Sequence, residues 1–234
     1  IGSLANNFNR MIEQVQDREF IKETFGRYVP ESVAAAILEN KGEFKAQHRL
    51  ATILYTDIQS FTTICESLSP DGVIDLLNEY FSLLFEVIDK RGGVVNQFQG
   101  DAMLVTFNIP VATEDHAAVA VQTAIEIQQV LADHIFCHGE KMVTRIGVNT
   151  GNVVAGSVGA NDRLNYTVHG DAVNIAARLE GLNKEFGSLI LVSEDTKNLA
   201  ETMLGSSVIY EAKGELPIRG KTEAIKVFEV TGTT

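Results

Sequence analysis

The chain has only two cysteines, Cys65 and Cys137, so no disulfide framework organises it and a reducing cytosol is its expected setting. It holds no apolar run of about 18 or more residues and no secretory leader pattern, so this stretch does not itself cross a membrane. Cations are scarce. The 19 Lys and Arg residues against 31 Asp and Glu leave a formal charge of −12, which argues against nucleic acid or an anionic membrane as a general partner. An anionic substrate would need local help, from metal ions or a few placed cations. There is no internal repeat, no low-complexity tract and no initiator Met; the start at Ile1-Gly2-Ser3-Leu4 reads as part of something longer. What is present, 234 residues with 45% hydrophobic content, suffices for one good core and a small second element.

Residues 1–47 differ from the rest. Leu4, Phe8, Met11 and Val15 recur at helical spacing and form one apolar seam, a short coiled coil or an ordinary packed helix. Pro30-Glu31-Ser32 interrupts it, and a second short helix is expected from Val33 to Leu38, ending near Gly42. From Arg49 the pattern alternates. A strand is expected at Leu50–Tyr55, running into Thr56-Asp57. A long amphipathic helix follows over Pro70–Arg91, with its stripe at Val73, Leu76, Leu77, Tyr80, Phe81, Leu84 and Ile88 and a stop at Gly92-Gly93. A hairpin turning at Gly100-Asp101 comes next, then a helix over Glu114–Leu131 and a strand over Met142–Val148.

This β-α-β-β-α-β order predicts an α+β, ferredoxin-like (palm-like) domain, an antiparallel sheet with helices on one face. Beyond it a hairpin is expected around Gly151-Asn152, a helix from about Asp171 to Leu182, and short strands near 189–192, 207–212 and 226–230.

In that topology the end of the first strand lies beside the hairpin tip, which brings Asp57 towards Asp101. The plainer reading is that Asp101 merely tolerates a turn and Gln97 faces water. Two adjacent carboxylates repel, however, unless a cation sits between them. Oxygen ligands of this kind suit Mg²⁺ or Mn²⁺ shared with substrate phosphates, the arrangement of two-metal phosphoryl chemistry. The turn Ile58-Gln59-Ser60-Phe61-Thr62-Thr63 enters a helix whose free amides would favour an anion.

Four segments then act together. They are Leu54-Tyr55-Thr56-Asp57-Ile58-Gln59-Ser60-Phe61-Thr62, Phe98-Gln99-Gly100-Asp101-Ala102, Arg145-Ile146-Gly147-Val148-Asn149-Thr150-Gly151, and the run Asn165 to Leu179. In order and spacing they resemble the class III nucleotidyl cyclase catalytic domain, from about residue 49 to 231. Residues 1–11 resemble, more weakly, the exit of a HAMP signalling module. The expected organisation is a helical signalling segment at 1–47 and a catalytic domain at 48–232.

The resemblance implies roles. Asp57, Asp101 and the backbone carbonyl of Ile58 match the positions that hold two Mg²⁺ or Mn²⁺ ions per active site. Phe61 and Thr62 fall in the substrate-binding turn, and Arg145 matches a phosphate-contacting arginine. Asn174 and Arg178, four apart on one helix face, match the residues that orient the ribose and stabilise charge at the transferring phosphoryl group. Without the resemblance they would read as an exposed polar stripe, and Arg145 as a surface charge. Arg219 stands where the family has a lysine for the terminal phosphates; charge is kept, reach and geometry differ.

Gln97 and Thr167 match the base-reading pair. Adenine-selective members carry Lys with Asp or Thr there, guanine-selective members Glu with Cys or another small residue. Thr167 fits an adenylyl cyclase; Gln97 fits neither group, and its carboxamide can serve either purine. The resemblance thus implies an adenylyl cyclase acting on ATP, with GTP open as an alternative substrate, and a homodimer with two shared active sites. It implies no nucleic-acid partner, and the cytoplasmic part of a cell-membrane receptor whose span lies elsewhere. A catalytically silent nucleotide-binding dimer is the competing class, but Asp57, Asp101, Asn174 and Arg178 are all present. A diguanylate cyclase would carry Gly-Gly-Asp/Glu-Glu-Phe at the hairpin, which Phe98-Gln99-Gly100-Asp101-Ala102 does not match.

Overall fold

The computed structural model describes Ala34 and residues 46–160, 163–217 and 224–233. The predicted helical segment at 1–47 lies almost wholly outside the described residues, and so does Arg219. The elements are β1 (Gln47–Ile58), α1 (Phe61–Ser67), α2 (Pro70–Lys90), β2 (Val94–Gln99), β3 (Ala102–Phe107), α3 (His116–Asp133) and β4 (Thr144–Ala160). They continue with β5 (Arg163–His169), α4 (Asp171–Phe186), β6 (Ile190–Ser193), α5 (Glu194–Leu204), β7 (Val208–Leu216) and β8 (Ile225–Thr233). The sheet runs β2-β3-β1-β4-β6-β8-β7, with β5 hydrogen-bonded to β4 off this path. The expected ferredoxin-like unit is its first half, β2-β3-β1-β4, antiparallel throughout.

Strand β1 is buried on both faces, which is why it reads as a near-continuous apolar run. Leu54 and Ile58 join the core beneath α2 and α3, while Ala51, Ile53 and Tyr55 belong to a second cluster with Ala172 and Ala176 of α4. Helix α2 starts as its sequence dictates. Ser69 accepts a hydrogen bond from the Gly72 N–H at 3.2 Å, Pro70 fills the first turn, and the chain leaves the helix through Gly92 at φ 73°. Its buried Tyr80 hydroxyl meets Thr144 Oγ1 at 2.9 Å, tying α2 to the first residue of β4.

The hairpin expected at Gly151-Asn152 is not there. β4 instead continues for 17 residues and pairs with the whole of β1, Gln47 opposite Ala155 through Ile58 opposite Thr144. Gly151 has a packing reason. A Cβ there would lie 2.9 Å from Ala172 Cβ, and one at Gly147 would lie 2.1 Å from the Ala176 carbonyl oxygen and 2.3 Å from the Glu180 nitrogen. Two bare positions four residues apart thus let α4 rest on the strand backbone. Helices therefore cover both faces of the sheet, α4 opposite α2 and α3. Helix α4 ends at Phe186, one turn later than expected, and α5 went unpredicted. The buried positions of α5, Thr196, Ala200 and Leu204, include one polar and one small residue, too weak an apolar stripe to read.

Strand β2 carries a bulge. Val95 faces Val105, yet Gln97 faces Leu104, so the register slips by one between them. Asn96 holds the irregularity, donating to the Val94 carbonyl at 3.1 Å and to Thr106 Oγ1 at 2.6 Å. Without the slip Gln97 would share the face of Val95 and point into the α2 core. With it, Phe98 takes that face and packs its ring, tilted, against Phe81 with centroids 4.6 Å apart, while Gln97 and Gln99 turn to the α4 face.

Candidate active site

The antiparallel ladder delivers the acids. β1 pairs with β3 as far as Thr56 opposite Met103, so Asp57 lies just past the ladder's end, next to the two-residue turn Gly100-Asp101. Gly100 at φ 67° supplies the left-handed conformation that the turn requires. The backbone N–H groups of Ile58 and of Asp101 itself favour the Asp101 carboxylate. Even so, burial first and the adjacent Asp57 charge second push its pKa up.

Arg145 sits directly opposite Asp57 in the β1–β4 register and donates from Nη2 to Asp57 Oδ2 at 2.6 Å. Its side chain is only 15% exposed, so it is no surface strand charge. Arg145 Nε also lies 2.9 Å from Glu180 Oε1 of α4. That approach makes an ion pair but is off the line a hydrogen bond needs, so both atoms are left without a directional partner. Burial, and next the Asp57 charge, raise the Glu180 pKa to about 7 despite the guanidinium. Tyr55, on the same face of β1, has its phenol pKa raised by burial and then by Asp57, Glu180 and Asp101.

Two carboxyls, Asp57 and Glu180, thus meet one guanidinium with Asp101 beside Asp57, and Glu180 is a residue that sequence reasoning missed. Its signal was available: an acid in phase with Ala172, Ala176 and Leu179 on a buried helical stripe. The pKa shift has a measurable consequence. A carboxyl that titrates near 4.5 when unfolded and about 7 when folded favours its neutral form in the native state. Its stabilising contribution is complete below the unfolded value and is lost as pH rises through about 7. Glu180→Gln, neutral throughout, should therefore gain in melting midpoint relative to wild type between about pH 5 and about pH 8 without divalent ions. Midpoint differences identical at both pH values would contradict this.

The other expected residues fall elsewhere. The Ile58 side chain is buried, leaving its backbone at the strand end. Phe61, the first residue of α1, is partly buried against the core and Thr62 is exposed. α1 has seven residues, and its Thr63 and Ile64 N–H groups already bond the Ser60 carbonyl. Asn174 and Arg178 lie on the exposed side of α4, away from inward-facing Glu180. Gln97 is exposed on β2, and Thr167 stands on β5, which returns close to β2. Among the described residues, no hydrogen bond or ion pair joins this second group to the acids.

These features align with known proteins. The sequence model of the adenylate and guanylate cyclase catalytic domain matches residues 44–231. The chain belongs to this family. Over 236 residues the chain is 35% identical to adenylate cyclase 1 of Rhizobium meliloti (strain 1021), covering 97% of the chain and 34% of that protein. The chain thus spans about a third of the length of the curated relatives it matches first. Among solved structures it resembles the guanylyl cyclase Cya2, at TM-score 0.70 and 30% identity over 81% of this chain and 95% of that one. It also resembles the adenylyl cyclase CyaB from P. aeruginosa, at TM-score 0.68 and 28% identity, covering 81% and 97%. The cyclase domain therefore has relatives named for either purine.

No three His, Cys, Asp or Glu side chains among the described residues form a closed metal cage. The donor set nevertheless fits a hard divalent cation. Two neighbouring carboxylates, one with a raised pKa, are what Mg²⁺ or Mn²⁺ takes alongside substrate phosphates.

Proposed function

We propose that residues 48–232 form an adenylyl cyclase that converts ATP to 3′,5′-cyclic AMP and pyrophosphate. The convergence of Asp57, Asp101 and Arg145 at one strand end carries this reading. Asp57, Asp101 and the Ile58 carbonyl hold two Mg²⁺ or Mn²⁺ ions. When bound, these supply activation of the ribose 3′-hydroxyl and neutralise the triphosphate. Arg145 binds phosphate oxygens, with the Phe61–Thr62 turn alongside. The 3′-hydroxyl releases its proton to solvent as its oxygen bonds to the α-phosphorus, the bond from that phosphorus to the oxygen leading to the β-phosphate breaks, and pyrophosphate departs with Arg219 at its terminal oxygens.

Asn174 orients the ribose, Arg178 stabilises charge at the transferring phosphoryl group, and Gln97 with Thr167 reads the base. The separation of these residues from the acids supports a homodimer in which two chains share each site. Residues 1–47 are the helical segment leading into it, in the cytoplasmic part of a receptor. Gln97 and the likeness to a guanylyl cyclase favour GTP as the second reading. Product analysis with ATP and GTP supplied separately, first with Mg²⁺ and then with Mn²⁺, tests both. Cyclic AMP should dominate; cyclic GMP from GTP with ATP unused would reverse the substrate, and no cyclic product would leave a nucleotide-binding dimer.

A further inference from the structure

The slip at Asn96 brings three polar side chains into a row on the α4 face. The Tyr55 hydroxyl donates to Gln99 Oε1 at 2.8 Å, and Gln99 Nε2 donates to Gln97 Oε1 at 3.0 Å. The row has a direction. The Tyr55 hydroxyl donates, which turns the Gln99 oxygen to Tyr55 and its amino group to Gln97. Gln97 answers with its oxygen, and its own amino group is left pointing onward from an exposed position.

We propose that Tyr55 and Gln99 are positioning residues that fix the Gln97 carboxamide as a hydrogen-bond donor to the base, selecting adenine over guanine. This rests on the reading of Gln97 as a base contact. Adenine presents an acceptor, N1, where guanine presents an N1–H donor. A carboxamide held with its amino group outward matches the first and opposes the second. A freely turning carboxamide would serve both. Gln97 then acts as a lysine would, without the charge, and the two residues behind it convert an ambivalent side chain into a selective one.

The test compares ATP with GTP, as kcat/KM and as competition for binding, in the full chain and four variants. Gln99→Leu removes the donor that holds Gln97 and should lower the ATP/GTP ratio roughly three- to tenfold, the worth of one hydrogen bond. Tyr55→Phe should shift it the same way by less. Gln99→Lys still donates to Gln97 and should keep the wild-type ratio, which a merely structural role for Gln99 does not require. Gln97→Lys should raise the ratio more than tenfold, through a charge-assisted contact. A ratio unmoved by Gln99→Leu and Tyr55→Phe but raised by Gln97→Lys would overturn the relay and leave the reading of Gln97 intact. A ratio flat in all four variants, or a wild type that binds neither nucleotide, would overturn both.

Discussion

Asp57→Asn and Asp101→Asn should each lower turnover at least ~100-fold, because each removes charge from the site proposed to hold two divalent ions. The fold should survive both. Asp57 ends a strand whose ladder is complete at Ile58 opposite Thr144, and Asp101 occupies a turn whose geometry Gly100 provides. Asp101→Asn also removes a carboxylate that burial and the Asp57 charge disfavour, so without metal its melting midpoint should match or exceed wild type. In Asp57→Asn, Arg145 loses the charge of its hydrogen-bonded partner but keeps Glu180 beside it, which predicts a modest loss. Melting curves without metal, Mn²⁺ binding and kcat at saturating ATP separate these effects. Near-normal turnover in both variants would remove the acids from the chemistry.

Mixing two inactive proteins should restore roughly a quarter of wild-type activity. If one chain supplies Asp57, Asp101 and Arg145 to a site and the partner supplies Gln97, Thr167, Asn174, Arg178 and Arg219, two-fold symmetry makes two equal sites per dimer. Asp57→Asn and Arg178→Ala should then each silence both sites of their own homodimer. After random exchange half the dimers are mixed, and each mixed dimer has one site with both lesions and one with neither. Activity from a mixture after exchange, set against each parent alone, checks this. Complete silence in a mixture shown to contain heterodimers would mean that one chain builds the whole site.

The ferredoxin-like core was legible because its elements are long and strongly periodic. The α2 stripe from Val73 to Ile88 and the two-residue turn at Gly100-Asp101 each have one ready structural reading. Gly151 was read as a turn because glycine serves two purposes, reversal of the chain and close approach of another backbone, and only the packing partner tells them apart. The pairing of Asp57 with Asp101 followed from topology alone. Glu180 did not, since an acid two residues after Arg178 looks like one more surface charge until the helix phase is set against the sheet. The Tyr55–Gln99–Gln97 row was out of reach for a different reason. It depends on a register slip, and simple alternation would have placed Gln97 and Gln99 on the face of Val95.

The two bare positions on β4 make that strand a gauge. With no carbon beyond the backbone at Gly147 and Gly151, the height of α4 above the sheet is set by main chain against main chain, the least compressible stop available. Every side chain on the helix inherits that height: Glu180 on the inside, Asn174 and Arg178 on the outside. A single added methyl at either glycine would act as a shim under the whole helix, withdrawing the inner carboxyl from Arg145 and advancing the outer pair by the same step. The inner and outer side chains of the helix are thus calibrated together, by what the strand leaves out.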